Sequence, residues 1–567
     1  MDEFAFYNSQ QETKNEFIFQ NSQYVYCPDQ NSGGSYPNGQ VVFDLASLSN
    51  SGKFIDFQSS YITVPLVMDI TNTGQAANNA ENLFACSLKN GFHQLINSMS
   101  VEITNAQVVN LTNFSNLDIN YRLLTTCSRE DEVNFLPSIN FHKDSAESIY
   151  YSDVTSASGI GESNNILANS VFSTTSGWGT SFINHNDGRL KRALNTSFDP
   201  VDSSIGSSNF KLVNSATVKA SGKNFAEKTG NTAVQYYILA TIPLKIIHDL
   251  FKQLPLTRNM YMRLILNLNT QCQCAIDVAS NKFTGFSTTS LNNVFPCQVS
   301  PIGDGKGIKA DTSITKSTIT LGIGKSYNTA TSYSHPVMTS CRFYAKMLEF
   351  SPLYEEMYLS AVPTKTILYN DILSFQTLSV GAGSSVSQIL TNGISRPRYL
   401  LIIPQMAGTI NGSAKANLAS SFTAAASNGL SVLGSPMNSP FSSAPGTTAP
   451  QAVISSLNIL VSGQNIYQSN YQYGFEQYLQ EVRGSNSLNG GLPLALSSGL
   501  LSQQDWENGY RFIYVDLSRR VSQANDDISR SIQVQFTNAA TYAMDYFYVI
   551  CYQKQISIST STGSLII

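Results

Sequence analysis

The chain has 567 residues, carries 34 Lys and Arg against 38 Asp and Glu for a net charge of −4, and is only 13% charged while 42% is hydrophobic. About 25% charge is usual for a soluble domain, and no run of Lys or Arg stands out, so strong direct binding of nucleic acid by this chain is excluded. The length is more than one core usually supports, so two or more domains are predicted.

Neutral polar side chains fill much of the remainder, which suits a surface that is buried against further copies of the same chain, because neutral groups lose less than charges on desolvation. The eight cysteines are too sparse for a disulfide scaffold and show no paired CxxC spacing, so reduced thiols are predicted. The first residues, MDEFAFYNSQQETKNEFIFQ, are acidic where an export signal is basic. No window reaches the roughly 18 apolar residues of a membrane span. Folding in the cytoplasm or nucleus is the expectation.

Residues 1–38 are polar, end in DQNSGGSYPN, and read as an arm that orders only against a neighbour. From residue 40 the pattern is strand-like, QVVFDLAS and then KFIDFQSSYITVPLVMDI. Pro65 within that run places it at a strand end or sheet edge. The spacing around Asn82 to Leu88 predicts a short helix.

Residues 95–124 read LINSMSVEITNAQVVNLTNFSNLDINYRLL, and a second copy of this unit lies at 453–482, VISSLNILVSGQNIYQSNYQYGFEQYLQEV. With Ile96 set against Ile454, an offset of 358 residues (454 − 96), Ser98 meets Ser456, Met99 meets Leu457, Val101 meets Ile459, Ile103 meets Val461 and Val108 meets Ile466. Met99, Val101 and Ile103 alternate with polar residues, the period of a strand with one buried face. Asn105 or Gly463 then supplies a tight reversal. Phe114, Leu117, Tyr121 and Leu124, and Tyr471, Phe475, Tyr478, Leu479 and Val482, change to gaps of three and four, which predicts a helix with one apolar stripe. The repeat is too distant for a solenoid. It predicts two domains of like design.

Residues 125–232 read as a large insertion with only brief apolar runs. Strands resume at 233–247 (AVQYYILATIPLKII) and 259–269 (NMYMRLILNLN), and the later half has counterparts in YRFIYVDLSRR and SRSIQVQFTN. Setting Ile532 against Leu264 lowers the offset to 268 (532 − 264). CRFYAKMLEF and YFYVICYQKQISI close the two halves, and residues 351–364 form a linker that is helical until Pro363 marks its exit. RPRYLLIIPQM matches the YITVPL strand, and residues 407–450, rich in Ala, Ser, Gly and Pro, read as a surface loop. The predicted organisation is an arm at 1–38, a first sandwich at 39–350, a linker at 351–364 and a second sandwich at 365–567.

The paired LINSMSVEITNAQVVN and VISSLNILVSGQNIYQ segments, the helices after them, and the YITVPL and YLLIIPQ strands carry a resemblance over roughly residues 40–558. The chain resembles the double jelly-roll major capsid proteins, most similar to those of virophages and polinton-like viruses, with giant DNA viruses and adenovirus hexons more remote. The resemblance implies an all-β chain of two tandem eight-stranded jelly rolls. It further implies homotrimeric, pseudo-hexagonal capsomers that tile an icosahedral shell around a DNA genome, contacting neighbouring capsomers, penton and minor capsid proteins. The virion would be its location, with the insertions at 125–232 and 407–450 on the outer crown and the arm at the base. Relatives of this kind lose a C-terminal segment to a viral protease, and no separate segment is visible after Ile558.

That family has no catalytic residues, and none is assigned here, nor any cofactor or metal site; an enzyme is not expected. Cys272 and Cys274 lack the second pair that a zinc site needs. GDGKGIKAD at 303–311 fits neither phosphate-loop nor EF-hand spacing. His248 beside Asp249, and His142 with Asp144, lack any accompanying nucleophile motif. The sequons at Asn110, Asn113, Asn195 and Asn411 are no more than an Asn-, Ser- and Thr-rich chain yields, and Asn113 is better placed as a helix cap. Arg519 with Arg520, and Lys191 with Arg192, are too few for a nucleic-acid groove. The alternative function is a carbohydrate-binding β-sandwich adhesin or fibre, which aromatic residues gathered on one loop face would favour.

Overall fold

A computed structural model describes residues 18–31, 36–73, 84–143, 192, 225–227, 233–277, 282–288, 294–301, 316–323, 340–361, 363–407, 452–467, 472–484, 499–520, 527–540 and 543–566. In the first half the strands are β1 (Phe19–Pro28), β2 (Gln40–Asp44), β3 (Phe54–Thr73), β4 (Phe84–Leu88), β5 (Ile96–Ile103), β6 (Ala106–Val109), β7 (Phe225–Glu227) and β8 (Ala233–Pro243). Then follow β9 (Met262–Leu268), β10 (Cys272–Asp277), β11 (Lys282–Thr288), β12 (Cys297–Pro301), β13 (Lys316–Ile323) and β14 (Arg342–Phe350). The second half has β15 (Thr364–Val380), β16 (Ser385–Ile394), β17 (Pro397–Met406), β18 (Ile454–Val461), β19 (Gln464–Asn465), β20 (Ile513–Asp516), β21 (Arg530–Asn538), β22 (Met544–Ser559) and β23 (Leu565–Ile566). Helix α1 (Ser115–Thr126) follows β6, α2 (Pro352–Ala361) joins the halves, and α3 (Phe475–Gly484) follows β19.

Pairing divides these strands into two sandwiches of one plan. In the first, β1-β14-β3 with β8 on the far side of β3 faces β2-β9-β5-β6; in the second, β15-β22-β17-β20 faces β16-β21-β18-β19. Taken in chain order, each strand of one sandwich has its counterpart in the other, and all the pairs named are antiparallel. Strands β4, β7 and β10 to β13 are additions to the first plan, with β13, β10 and β11 extending its sheet beside the distal half of β3.

The repeated unit supplies the match most directly. Strands β5 and β18 both run eight residues, and β6 and β19 begin at the same offset of 358 (464 − 106). Met99, Val101 and Ile103 are buried in the first core and Leu457, Ile459 and Val461 in the second, as the period-two pattern requires.

Four expectations are corrected. Phe19–Pro28, assigned to the arm, is the first strand of the first sandwich: Val25 and Cys27 turn inward while Tyr24 and Tyr26 face out, and Phe19 through Pro28 pair with β14. An edge strand with one wet face needs few apolar residues, so its composition reads as an arm. Phe84–Leu88 is a strand paired with β12, where a helix was expected. Val461 pairs with Ile532 as Ile103 pairs with Met262, so the late offset is 270 (532 − 262). A shift of two leaves every side chain on the same face and is invisible to a pattern of period two. Pro65 lies inside β3, but at the break where one neighbour ends at Thr63, opposite Arg342, and the next begins at Leu66, opposite Ile323. A residue without an N–H fits a gap in the ladder as well as it fits an edge.

The region 303–311, residues 1–17, and nearly all of 144–232 and 408–451 lie outside the described residues. Among the described residues no helix is long and apolar enough to cross a membrane.

Candidate functional site at the seam between the sandwiches

The centre of the sheet β15-β22-β17-β20, in β17, β20 and the first half of β22, is buried on both faces. Leu400, Ile402, Val515, Tyr548 and Ile550 join the second core, while their neighbours Tyr399, Leu401, Ile403, Tyr514, Val549 and Cys551 join the first. The second set packs beneath α1, whose Tyr121 ring lies 5.0 Å from Phe512 and 5.8 Å from Tyr514, and whose preceding residue Phe114 meets Phe547 edge-on at 5.1 Å. The helix of the first repeated unit is therefore wedged between the two domains.

Helix α1 starts without the expected side-chain cap. Phe114 occupies the N-cap with φ 61° and no capping bond. Asn113 contributes its carbonyl, which accepts from Ser374 Oγ at 2.7 Å. The loop before the helix thus spends its polar groups on β15: Thr112 Oγ1 donates to Ile372 O at 3.0 Å, and Tyr369 Oη donates to Val108 O at 2.6 Å.

At the centre of the seam is Asp371, whose side chain is 1% exposed. Oδ1 accepts from Ile372 N at 2.9 Å and from His248 Nε2 at 3.3 Å; Oδ2 accepts from Tyr552 Oη at 3.2 Å and from Lys554 Nζ at 2.5 Å. Leu250 N donates to His248 Nδ1 at 3.1 Å, which places the ring proton on Nε2. Burial works to raise the Asp371 carboxyl, but His248 and Lys554 outweigh it and hold the carboxyl below its ordinary value. A carboxylate so surrounded ties His248 of the first sandwich to β15 and β22 of the second. Removing one partner of such a group is costly because the other stays buried and charged.

A second tie runs through Asp118 and Arg122, one turn apart on α1. Arg122 Nε donates to Asp118 Oδ2 at 2.7 Å, and Tyr399 Oη donates to Asp118 Oδ1 at 3.2 Å. Burial, helped by the Asp118 charge, pushes the Tyr399 phenol well up, so it remains a donor. Asn370 N donates to Asp249 Oδ2 at 3.0 Å and completes the row.

Beside the seam, inside the first sandwich, Asn90, His93, Gln94, Asn116 and Asn120 form a buried amide cluster. Asn120 Oδ1 accepts from Asn90 Nδ2 at 2.9 Å and lies 3.1 Å from His93 Nε2. Burial lowers the His93 pKa to about 3, against a hydrogen bond to Asn120 that works the other way.

Of the candidates named from sequence, His248 finds its carboxylate in Asp371 instead of Asp249, and Asp144 lies outside the described residues. Cys272 and Cys274 sit on the inner side of β10, both fully buried, with the Cys272 thiol pushed up by burial. No disulfide joins the described cysteines, and among the described residues no three His, Cys, Asp or Glu are placed to hold a metal ion. Arg519 pairs with Glu481 at 2.5 Å, and Arg192 is buried. Asp371, Lys554 and Tyr399 were not singled out. The pair Asp118 and Arg122, spaced i and i+4 on a predicted helix, was legible as an ion pair.

Comparison with solved structures rests on this geometry. A chain from the cryo-EM structure of the Sputnik virophage superposes with a TM-score of 0.51 at 13% identity, over 97% of this chain and 89% of that one. The chain is a double jelly roll. The mavirus major capsid protein is also similar, with a TM-score of 0.43 at 13% identity over 98% of this chain and 92% of that one. The Faustovirus major capsid protein gives 0.42 at 9% identity over 96% and 91%. No protein-family model matches this chain, and the search of curated proteins found no match to it.

Proposed function

We propose that this double jelly roll is the major subunit of an icosahedral viral shell, assembling as a homotrimer whose three chains present six like sandwiches around a threefold axis. The observation that carries the reading is the recurrence of one eight-stranded plan twice in a chain, joined by a seam that buried ion pairs and hydrogen bonds lock. A pair of sandwiches of one plan lets a trimer imitate a hexagon, and closed symmetry repeats each contact many times. The neutral polar exterior supports it, since weak contacts without charge suit reversible assembly. Fold likeness to chains from virus particles supports a place in the virion, with neighbouring capsomers, penton and minor capsid proteins as partners and no enzymatic activity. The insertions at 125–232 and 407–450 would form the outer crown.

Light scattering behind size exclusion tests this on purified protein. A stable species near three times 61.9 kDa is the expected result; a monomer across a wide concentration range sinks the trimer.

The carbohydrate-binding reading draws on one observation. Tyr24 and Tyr26, 52% and 53% exposed, lie with Tyr61 and Tyr344 on the outer face of the first sandwich, and the Tyr61 and Tyr344 rings stack at 4.8 Å. The aromatic group is on a sheet face and not on the loops. A glycan array with the Tyr26→Ala variant as control decides that case.

A further inference from the structure

A cavity of about 180 Å³ opens along the seam, lined from the first sandwich by Asp118, Arg122, Asp249 and Lys252 and from the second by Asn370 and Tyr399. One water needs only about 10–15 Å³, so the space takes a guest of several atoms. The charged groups around it are unevenly committed. Asp118 is satisfied at both oxygens by Arg122 and Tyr399. Arg122 Nη2 donates to Ile246 O at 3.3 Å and Ile247 O at 3.1 Å, which leaves Nη1 without a partner among the described residues. Lys252 is an exposed residue at this cavity, and its Nζ makes no ion pair or hydrogen bond among the described residues. Asp249 uses Oδ2 on Asn370 N, and Oδ1 has no bond among the described residues. His248 also lines the wall, with both ring nitrogens engaged.

Two cations with open donors therefore share the cavity with one open carboxylate oxygen. A carboxylate guest would satisfy the cations but has no proton to offer Asp249, so the two like charges would meet unbridged. A hydrogenphosphate group offers acceptors to both cations and an O–H to Asp249 Oδ1, and so fits all three. We propose that the cavity binds a phosphate-type oxyanion, held by Lys252 and Arg122 and oriented by Asp249. Its walls come from both sandwiches, so a bound anion cements the seam, and occupancy adds to the stability of the joined chain by mass action.

The proposal is independent of the shell reading and is tested on the isolated full-length protein. Thermal unfolding is followed with inorganic phosphate, with glycerol phosphate, with acetate and with sodium chloride at matched ionic strength. Phosphate at ten times its dissociation constant should raise Tm by about 1–3 °C over chloride, acetate should not, and titration calorimetry should show one site. A response to inorganic phosphate but not glycerol phosphate assigns the free ion; a response to both assigns the phosphate group in general. Lys252→Gln should unfold like the parent in chloride and lose the phosphate response, whereas Lys252→Arg should keep it. No phosphate response in the parent, an equal response to acetate, or a full response in Lys252→Gln overturns the assignment.

Discussion

Tyr399 and Asp118 meet inside the seam: a phenol on β17 of the second sandwich donates at 3.2 Å to a carboxylate on α1 of the first, and the two residues are 8% and 2% exposed. The bond spans 281 residues of sequence, and its acceptor also anchors Arg122. Tyr399→Phe keeps the ring packing and deletes only the donor to a buried charge. Hydrogen bonds to charged groups contribute about 1.5–3 kcal/mol, so the variant should lose about 2 kcal/mol in denaturant unfolding. A loss under 0.5 kcal/mol would mean that water replaces the phenol.

Asp371 is expected to matter more. Asp371→Asn keeps the shape, but it leaves Lys554 facing a neutral amide and turns two acceptor sites into donors, so a cost of about 3 kcal/mol at pH 7 follows. The carboxyl sits below its ordinary value in the folded chain, so its contribution is complete above the unfolded pKa, about 3.9, and is lost as pH falls through the lower folded value. Acid unfolding curves of parent and variant should accordingly lie apart at pH 5 to 7 and converge well below pH 4. Parallel curves throughout would show that Asp371 does not titrate with folding.

His93 gives an acid sensitivity in a different window. It is held neutral by burial with a folded pKa of about 3, while in the unfolded chain it titrates near 6.5. The unfolded state then binds the extra proton between those values, so stability is full above about pH 6.5 and falls as pH drops towards 3. From pH 7 to pH 5 the loss from this one group should be about 2 kcal/mol. His93→Gln, which keeps a polar group next to Asn120, should be less stable at pH 7 and flatter over that interval. An unchanged slope would remove His93 as the cause.

Much of this architecture is written in short-range pattern. Met99, Val101 and Ile103 recur as Leu457, Ile459 and Val461 because each set faces its own core, and the fold keeps a repeat of eight-residue strands at constant offset. The seam was half visible: YLLIIP at 399–404 and FYVIC at 547–551 are unbroken apolar runs, the mark of a strand covered on both faces. What covers the outer face, α1, could not be known from those runs alone. Asp371 was illegible for the same reason, since its partners His248 and Lys554 lie 123 and 183 residues away and no local rule links them. The strand at Phe19–Pro28 was missed because an edge strand with a wet face and interior Gln, Asn and Ser looks like a tail until its partner, β14, is known.

The C-terminal hairpin gives a last test of how closely the halves fit. After β22 the chain turns at Ser559–Ser564, β23 pairs back, and Asn259 Nδ2 of the first sandwich donates to Ser561 O at 3.2 Å. Gly563 sits in this turn at φ +65°, and a Cβ there would lie 2.4 Å from Met260 Cα and 2.5 Å from its nitrogen. Both atoms are backbone, so no side-chain rotation relieves the overlap, and the left-handed conformation adds about 1–3 kcal/mol for a non-glycine residue. Gly563→Ala should therefore lift the hairpin off the Asn259–Met260 loop, with faster hydrogen exchange at Ser559–Ser564 and about 2 kcal/mol or more of lost stability. Gly383, also at positive φ (73°) but with open space around it, is the control: Gly383→Ala should carry the conformational cost alone and leave exchange in the hairpin unchanged. Equal effects from the two variants would mean that backbone strain, and not the packing of the hairpin on the first sandwich, sets the cost at Gly563.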